Sequence, residues 1–550
     1  MDTQEHTELG NALRFIGWDE LKGNPYISFD EQGTMHLNLQ GIAENGLPQH
    51  IDLILSAGEV VGMSGDYFGG GETDLKLDLP SKHDFTHNRQ SYETDYSCEN
   101  LGEYLINEPI TESEMQKLIE SYLKLANPSV QKSEIDTIYA INGANYIPFS
   151  STLNGYVQQL MFALRVKNYG EILNRNLSHF TPWSVRVYIL GHSIALKYAR
   201  MSYELKRLIE DEHYTSNNEE FNTLIATLKQ SNELSKDKLQ DLVYRYQALA
   251  LGMELFCFHY YSDHYAAGHG ALVGDLREEL PARFGLLGGI LVNSVHDELN
   301  RVTVYTKKPY DPTPDITDPP VEAGGDGDFN SAKNYYNRLA CIAGMQESMQ
   351  DLHNVFLGHD IPKQAKYGGL EKLPDIDVNY RQPQPLFLLG DDNKIYYRTN
   401  LSKIRILAPS EFQETYRSPT RHGYTELTNS FMAFILVIML RVFSYFYEGQ
   451  LQPLTEGELR RIEFEEALLN PGRKPIPQPP VVETGVQPVP EAEPVSLLHW
   501  QEPASKETMF KGLNRNGFLA PKSPPNTPVS ALSEEEQEEK TFTSASAAAA

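Results

Sequence analysis

The pattern of apolar positions divides the chain into a β-rich beginning and a long helical stretch. Between residues 24 and 62, short β-branched and aromatic runs alternate with turn sequences such as DEQG and ENGLP, which predicts strands and hairpins. From about residue 110 to 298, apolar residues recur at intervals of three and four, the spacing that places them on one face of a helix. The sequence therefore predicts a mainly α-helical core with a small β-rich N-terminal part.

Changes in composition mark the segments that follow the helical core. Residues 308–329 are rich in proline, glycine and aspartate, which predicts a loop. A helix is predicted for 331–356, and PLFLLGDDNKIYYRT has the turn and flanking strands of a hairpin. Residues 471–530 hold 13 of the 33 prolines, which favours a disordered linker. The predicted units are a helical domain at 1–310, a loop at 311–330, an accessory α+β region at 331–470 and a disordered tail at 471–550.

The most apolar run is FMAFILVIML, at residues 431–440. Its ten uninterrupted apolar residues fall short of the roughly 20 that a membrane-spanning helix needs. The sequence favours a buried core helix here, with a membrane-docking surface and a true span as the alternatives.

Charge and cysteine content exclude several classes of protein. The chain has 47 basic and 75 acidic residues, a net charge of -28, so it repels phosphate backbones and anionic lipids unless metal ions reverse the charge locally. Its cysteines, Cys98, Cys257 and Cys341, lie far apart, which excludes a disulfide scaffold and a cysteine zinc site. The acidic, polar N-terminus predicts that the chain carries no secretory leader.

The stretch FHYYSDHYAAGHG concentrates residues that bind metals. It places three of the chain's 16 histidines within residues 259–269. His259 and Asp263 are four positions apart and share one face of a helix, and Gly268 can break that helix and return His269 to the same point. Imidazole and carboxylate without thiolate suit Zn²⁺. The alternative is a surface pair followed by core aromatics.

Further candidate ligands lie in LSHF, YILGHSIAL, SVHDELN and the glycine-rich GDYFGGG: His179, His192, His296 and Asp66. Three of these residues also have a structural interpretation that involves no metal. His192 is equally typical of a hydrogen-bonded core histidine, His296 with Asp297 of a helix-surface pair, and Asp66 of a turn. Taken together, the histidines and aspartates on a helical core predict a multinuclear zinc centre. Such a centre binds an anionic phosphoryl group, which favours phosphoester hydrolysis.

The spacing of His259, Asp263 and His269 resembles the metal-ligand pattern of the zinc-dependent phospholipase C/P1 nuclease superfamily. The fuller set, GDYFGG, LSHF, LGHSIAL, HYYSDHYAAGH and VHDELN, is most similar to bacterial phospholipases C of the Legionella and Pseudomonas fluorescens type, over about residues 50–310. The resemblance implies an α-helical catalytic domain with two or three zinc ions. Its expected substrate is a glycerophospholipid at a membrane surface, phosphatidylcholine above all, cleaved to diacylglycerol and a phosphorylated headgroup.

Carried over position by position, the resemblance implies a set of seven metal ligands. His179 would join His259 on one ion, and Asp263 would bridge two ions. Asp66 and His192 would complete the third site. The full implied set is Asp66, His179, His192, His259, Asp263, His269 and His296, with the last two sharing an ion.

The chain departs from the family pattern at two points. The family's N-terminal tryptophan, which binds metal through its amino group, has no counterpart. The expected HxxxE is His296 followed by Asn300, so Asp297, Glu298 or Asn300 would substitute for the glutamate. Asp66 and Asp297 are the candidates for the catalytic general base.

The glutamate cluster at 534–539 resembles the translocation signal of type IV secretion effectors. It implies a protein made in the bacterial cytoplasm and exported by the secretion machinery into a host cell; a solvated acidic tail is the alternative. Two other functions stay open. One is a nuclease or nucleotidase of the same superfamily, which the charge disfavours. The other is a non-catalytic adaptor that binds host protein or membrane through residues 320–470 and the tail, with structural histidines.

Overall fold

A computed structural model of the chain describes residues 2–69, 108–148, 151–166, 177–181, 183–231, 234–307, 321–325, 327 and 329–471. The last two glycines of the GDYFGGG stretch, the loop residues 308–320, and the proline-rich linker with its acidic tail from 472 onward lie outside the described residues.

The described residues are mainly helical, as predicted. The α-helices are α1 Thr3–Ala12, α2 Ala57–Met63, α3 Glu112–Leu125, α4 Lys132–Asn142, α5 Ser151–Arg165, α6 Trp183–Glu210, α7 Glu219–Gln230, α8 Lys236–Asp263, α9 Ala271–Phe284, α10 Leu286–Arg301, α11 Tyr335–Phe356, α12 Pro409–Arg417, α13 Ser430–Val437, α14 Ser444–Tyr447 and α15 Glu456–Leu469.

The strands are short and form several small sheets. They are β1 Ile27–Phe29, β2 Met35–Ile42, β3 Pro48–Ser56, β4 Ser64–Gly65, β5 Phe68–Gly69, β6 Val304–Lys307, β7 Val321–Ala323, β8 Asp375–Ile376, β9 Gln382–Pro383, β10 Phe387–Leu389, β11 Ile395–Arg398, β12 Lys403–Ile404, β13 Ile406–Leu407, β14 Tyr424–Glu426 and β15 Gln450–Leu451. The three-stranded sheets have the orders β1-β2-β3, β7-β6-β8 and β10-β11-β14.

The N-terminal sheet has the predicted strands, with β2 antiparallel to both β1 and β3. The end of the predicted β region is a helix instead, because Ser56 and Glu59 form a capping box. Each side chain of that pair bonds the other's backbone N–H, which starts α2. This turn from strand to helix brings α2 against α8.

The centre of the fold is the pair of 28-residue helices α6 and α8, which pack along each other. From Gln247 to Asp263 every residue of α8 is buried, because α6, α2, β2 and α11 cover it. Gly191 of α6 allows the close approach: a Cβ there would lie 1.5 Å from the sulfur of Cys257. The buried end of α8 is where the predicted ligands lie.

A second core joins the helices after α8 to the C-terminal strands. Val292 of α10 packs in one cluster with Phe387 of β10, Ile395 of β11 and Ala433 of α13. The predicted hairpin is confirmed, since Leu389 pairs with Ile395 across an antiparallel turn. The domain boundaries proposed from the sequence remain predictions.

Two predictions from the composition and hydropathy of the sequence are wrong. Residues 321–323, predicted as loop, form β7, because their backbone pairs with β6. The apolar run at 431–440 is not a buried core helix. Only Ala433 and Leu436 within it are fully buried; Met432, Val437, Met439 and Leu440 are partly buried against the same core, and Phe431 is 71% exposed.

Candidate metal centre

The last turn of α8 carries His259 and Asp263 on one face, as their spacing predicted. Both side chains are buried, and His259 Nε2 lies 3.5 Å from Asp263 Oδ2. Burying an imidazole and a carboxylate costs free energy unless each has a polar partner or a cation. Their neighbours therefore decide what the pair can do.

The carbonyl of Val61 fixes the tautomer of His259. Because a carbonyl only accepts hydrogen bonds, the His259 Nδ1–H donates to it, at 2.9 Å, and Nε2 keeps its lone pair. Burial, together with His6 beside it, holds the pKa of His259 well below its usual value. The ring is therefore neutral, which is the form that binds a metal ion.

His179 reaches the same carboxylate from a short 3-10 turn, Leu177–His179, ahead of α6. Its Nδ1 lies 2.6 Å from Asp263 Oδ2 and 3.2 Å from His259 Nε2. Its other nitrogen, Nε2, is buried and has no hydrogen-bond partner among the described residues. These three side chains converge on one point.

Asp66 approaches this point from the turn between β4 and β5. Its Oδ1 lies 3.9 Å from both His179 Nδ1 and His259 Nε2. Gly65 permits the approach: it has φ +70°, and a Cβ there would lie 2.6 Å from His259 Nε2. Burial raises the pKa of Asp66, although its side chain is 32% exposed. Asp66 is thus the member of the group that solvent reaches.

The ligand atoms form two groups of three, each within 4.8 Å: Asp66 with His179 and His259, and His6 with His259 and Asp263. Bonds of about 2.0–2.1 Å in a tetrahedral metal site place neighbouring ligand atoms about 3.3 Å apart. From His259 Nε2, the separations are 3.2 Å to His179 Nδ1, 3.5 Å to Asp263 Oδ2 and 3.9 Å to Asp66 Oδ1, whereas the 2.6 Å between His179 Nδ1 and Asp263 Oδ2 is a hydrogen-bond distance. Two imidazoles and two carboxylates are donors that suit Zn²⁺ and similar divalent ions.

His6 is a member of the centre that the sequence did not predict. It lies in α1, stacks on His259 with ring centroids 4.0 Å apart, and is fully buried. Its Nε2 lies 3.1 Å from Asp263 Oδ1. No local spacing connects α1 to α8, so the only signal in the sequence was a histidine on the buried face of a short helix.

The hydrogen bonds of His6 indicate that a cation belongs beside it. The Ser262 hydroxyl donates to the carbonyl of Phe258 at 2.6 Å, so it must accept from His6 Nδ1–H at 2.8 Å. His6 Nε2 is buried and has no hydrogen-bond partner among the described residues. His6 Nε2 and Asp263 Oδ1 face each other, and a second proton on the ring or a shared metal ion makes that contact favourable.

Asp263 presents its two oxygens to different partners. Oδ2 faces His179 and His259, whereas Oδ1 faces His6 and also His269, whose Nδ1 is 3.5 Å away. Burial would raise the pKa of Asp263, but nearby positive charge holds it well below its usual value, so the group is a carboxylate. A separate donor set on each oxygen is the arrangement of a carboxylate that bridges two metal ions.

His269 returns to the centre because the chain bends after α8. A 3-10 turn at Ala267–His269 lies against Asn300, which accepts from the Gly268 N–H at 2.6 Å. Asn300 also donates to His296 Nε2 at 3.1 Å, and the rings of His269 and His296 lie 4.9 Å apart. Within the described part of the chain, no third His, Cys, Asp or Glu forms a metal-binding group with these two rings. The ion they were expected to share remains a prediction.

The acidic residues next to His296 have other partners. Glu298 is buried in a bidentate ion pair with Arg398, at 2.9 and 2.7 Å, so it is not a free ligand. Asp297 is 56% exposed, and it bonds His296 at 3.2 Å and Arg441 at 2.8 Å. Asp297, a candidate general base, thus lies at the rim, whereas Asp66 lies at the imidazoles.

The structure does not bring His192 to this centre, contrary to what the resemblance implied. His192 is buried in a separate network on α6, with Nδ1 2.9 Å from Glu254 and Nε2 3.3 Å from Asp351. Burial would lower the pKa of His192, but these two carboxylates raise it to about 9. The core-histidine interpretation is the one this geometry supports, and an imidazolium in an ion pair is not a metal ligand.

This network predicts a stability that declines in alkaline solution. The folded pKa of His192 exceeds its unfolded value of 6.5, so its contribution is complete below about pH 6.5 and is lost as the pH rises through 9. We expect a loss of about 2–3 kcal/mol in the free energy of unfolding over that range. Urea unfolding across the pH range measures it. The His192→Gln variant should show a flatter profile; identical profiles would contradict the ion pair.

No protein-family model, curated protein or solved structure matches this chain.

Proposed function

We propose that the protein is a divalent-metal-dependent phosphodiester hydrolase, and specifically a zinc-dependent phospholipase C that acts on phosphatidylcholine. The observation that carries the proposal is the buried contact of His6 Nε2 with Asp263 Oδ1, 3.1 Å apart, which a shared metal ion would stabilise. On the other oxygen of Asp263, His179, His259 and Asp66 form a second donor set. Two donor sets that share one carboxylate support a centre with two ions.

Such ions would neutralise the charge that develops on a phosphoryl group and supply a nucleophilic water at neutral pH. The chain's own residues have distinct tasks in that reaction. Val61 and Ser262 hold the rings of His259 and His6 in the tautomers that leave Nε2 free. Asp66, the most exposed member of the first group, lies where the phosphoryl group would enter, and it is the candidate proton acceptor.

The choice of phospholipid over nucleic acid rests on charge and on the sequence resemblance. A chain with a net charge of -28 repels the extended polyanion of DNA or RNA. A zwitterionic headgroup carries no such penalty, because its phosphate is accompanied by a cation. Phosphatidylcholine is therefore the substrate we expect to be hydrolysed fastest.

The test is hydrolysis by the purified full-length chain, measured as phosphocholine release from phosphatidylcholine and, in parallel, as nucleotide release from single-stranded DNA. We expect phosphocholine release that stops on chelation and returns with Zn²⁺, and little release from DNA. His259→Ala should abolish the activity. The matched control is His213→Ala, which removes an exposed histidine that does not belong to the centre. This variant should retain the activity.

Three outcomes would count against the proposal. Activity that survives both chelation and His259→Ala would show that the histidines are structural. Faster release from DNA than from phosphatidylcholine would make the protein a nuclease. Purified protein that neither contains nor binds zinc, and releases nothing, would favour the adaptor interpretation.

A further inference from the structure

A contiguous apolar surface is exposed close to the centre, at residues 431–446, and we call it the aromatic ridge. It comprises α13, a π-helical turn at Ile438–Val442 and α14. Soluble proteins rarely leave so many large apolar side chains together in water, because each costs about 25 cal/mol per Å² of exposed apolar surface. The exposed members, between 47% and 89% accessible, are Phe431, Phe434, Val442, Phe443, Tyr445 and Phe446.

The packing of the ridge against the protein explains why some of its apolar side chains are exposed. Ala433 and Leu436 pack against α10, and they are the buried residues of α13. The π-helical turn follows directly, and Val442 and Phe443 at its end are exposed again. Met432, Val437, Met439 and Leu440 are partly buried against the same core, so the exposed apolar side chains of the ridge are the six named above.

The ridge is connected to the candidate centre by a chain of polar contacts. Arg441, within the ridge, bonds Asp297 at 2.8 Å, and Asp297 bonds His296 at 3.2 Å. The His296 ring lies 4.9 Å from the ring of His269, which in turn contacts Asp263. A surface that bound the ridge would therefore lie next to the side of the centre that His296 forms.

The charge of the ridge restricts what it can bind. Between residues 431 and 446 the single charged side chain is Arg441, and its charge is neutralised by Asp297. The chain as a whole carries -28, which repels an anionic leaflet. Phenylalanine and tyrosine rings partition favourably into the interface of a neutral bilayer. Among the described residues, no helix has the length and apolar character needed to cross a bilayer.

We propose that the aromatic ridge docks on the zwitterionic surface of a phosphatidylcholine bilayer. This inference rests on the proposed function, since a phospholipase must meet its substrate at the headgroup layer. The ridge inserts its rings at the interface and holds the centre beside the phosphates. Contact by a neutral apolar face, and not by basic residues, makes binding independent of anionic lipid.

The test uses the full-length triple variant Phe443→Ser, Tyr445→Ser, Phe446→Ser in vesicle sedimentation. We expect its partition onto phosphatidylcholine vesicles to fall by about tenfold or more, because three interfacial rings are lost. Hydrolysis of vesicles should fall with it, whereas hydrolysis of monomeric short-chain phosphatidylcholine should be unchanged. Adding phosphatidylserine to the vesicles should not strengthen binding by the wild-type chain.

A matched control removes equally exposed side chains from α15, which packs on α12: Phe464→Ser, Leu468→Ser, Leu469→Ser. This control should bind vesicles like the wild type. Because the triple ridge variant loses three side chains at once, Tyr445→Glu serves as a second variant. Its position is 89% exposed, so the fold tolerates the change, and it should also reduce binding.

The inference and the proposed function fail in different ways. Ridge-dependent vesicle binding without any hydrolysis would leave the docking surface standing and remove the phospholipase. Equal binding by the wild type and the ridge variants, or no binding by the wild type, would overturn the docking. A wild-type dimer that the ridge variants dissociate, without vesicle binding, would identify a second copy of the chain as the occupant.

Discussion

Replacing Asp263 with asparagine is expected to remove the bound metal and to reduce phosphatidylcholine hydrolysis by about a thousandfold or more. Asp263 Oδ1 lies 3.1 Å from His6 Nε2, and Oδ2 lies 3.5 Å from His259 Nε2. An amide supplies one oxygen without the negative charge, and its N–H₂ would donate to one of these lone pairs. The substituted amide would therefore satisfy the imidazoles with hydrogen bonds and leave no bridge between two ions.

The same substitution should leave the fold intact, because asparagine has the shape of aspartate and can bond the neighbouring rings. Metal content by mass spectrometry, hydrolysis and thermal unfolding should be measured on one preparation. Asp237→Asn, in the exposed first turn of the same helix α8, is the matched control and should behave like the wild type. An Asp263→Asn protein that keeps its full zinc content would contradict the bridging role.

Replacing Gly65 with alanine is expected to weaken metal binding by about a hundredfold, since displaced ligands typically lose that much affinity. The new Cβ would lie 2.4 Å from His259 Cδ2 and 2.6 Å from His179 Cε1. His259 cannot yield easily, because Val61 holds one side of its ring and His6 stacks on it. The clash therefore separates the two rings that must share an ion.

Gly33→Ala isolates the clash from backbone strain. Gly33 has φ +80°, close to the +70° of Gly65, but nothing lies within 4 Å of a Cβ built there. Both variants lose stability by about 1 kcal/mol from the left-handed backbone, and only Gly65→Ala should lose zinc affinity in a chelator competition. Equal zinc affinity in the two variants would show that the rings near Gly65 do not bind metal.

The sequence predicted the features that depend on local spacing. The periodicity of α6 and α8 was long enough to define both helices, and the four-residue spacing of His259 and Asp263 placed them on one face. The predicted break at Gly268 lies too late, because α8 ends at Asp263 and Gly268 belongs to the 3-10 turn that follows and carries His269. These signals lie within one or two turns of chain, where geometry follows directly from residue order.

The residues that the sequence misjudged depend on contacts between distant segments. His6 joins Asp263 from the first helix, and its role follows from the hydroxyl of Ser262, not from any spacing. His192 lies in an apolar pattern that suits a ligand and a core histidine equally, and Glu254 with Asp351 decides between them. Partner identity is a tertiary property, so no local pattern contained it.

The prediction of a buried helix at 431–440 was wrong for a related reason. Its hydropathy indicated burial, but hydropathy reports what a segment would prefer and not whether the rest of the chain covers it. Ala433 and Leu436 are fully buried and four further side chains are partly buried against the core, but Phe431 and Phe434 remain exposed. Such a mismatch between composition and exposure is what indicates a binding surface.

Anomalous X-ray diffraction at the zinc absorption edge, from crystals grown with zinc, tests the central claim most directly. The account predicts one peak within about 2.0–2.2 Å of His259 Nε2 and an oxygen of Asp263. A second peak should lie on the opposite side of that carboxylate, beside His6 Nε2. Crystals with no anomalous peak at Asp263, or with zinc bound at surface residues alone, would contradict it.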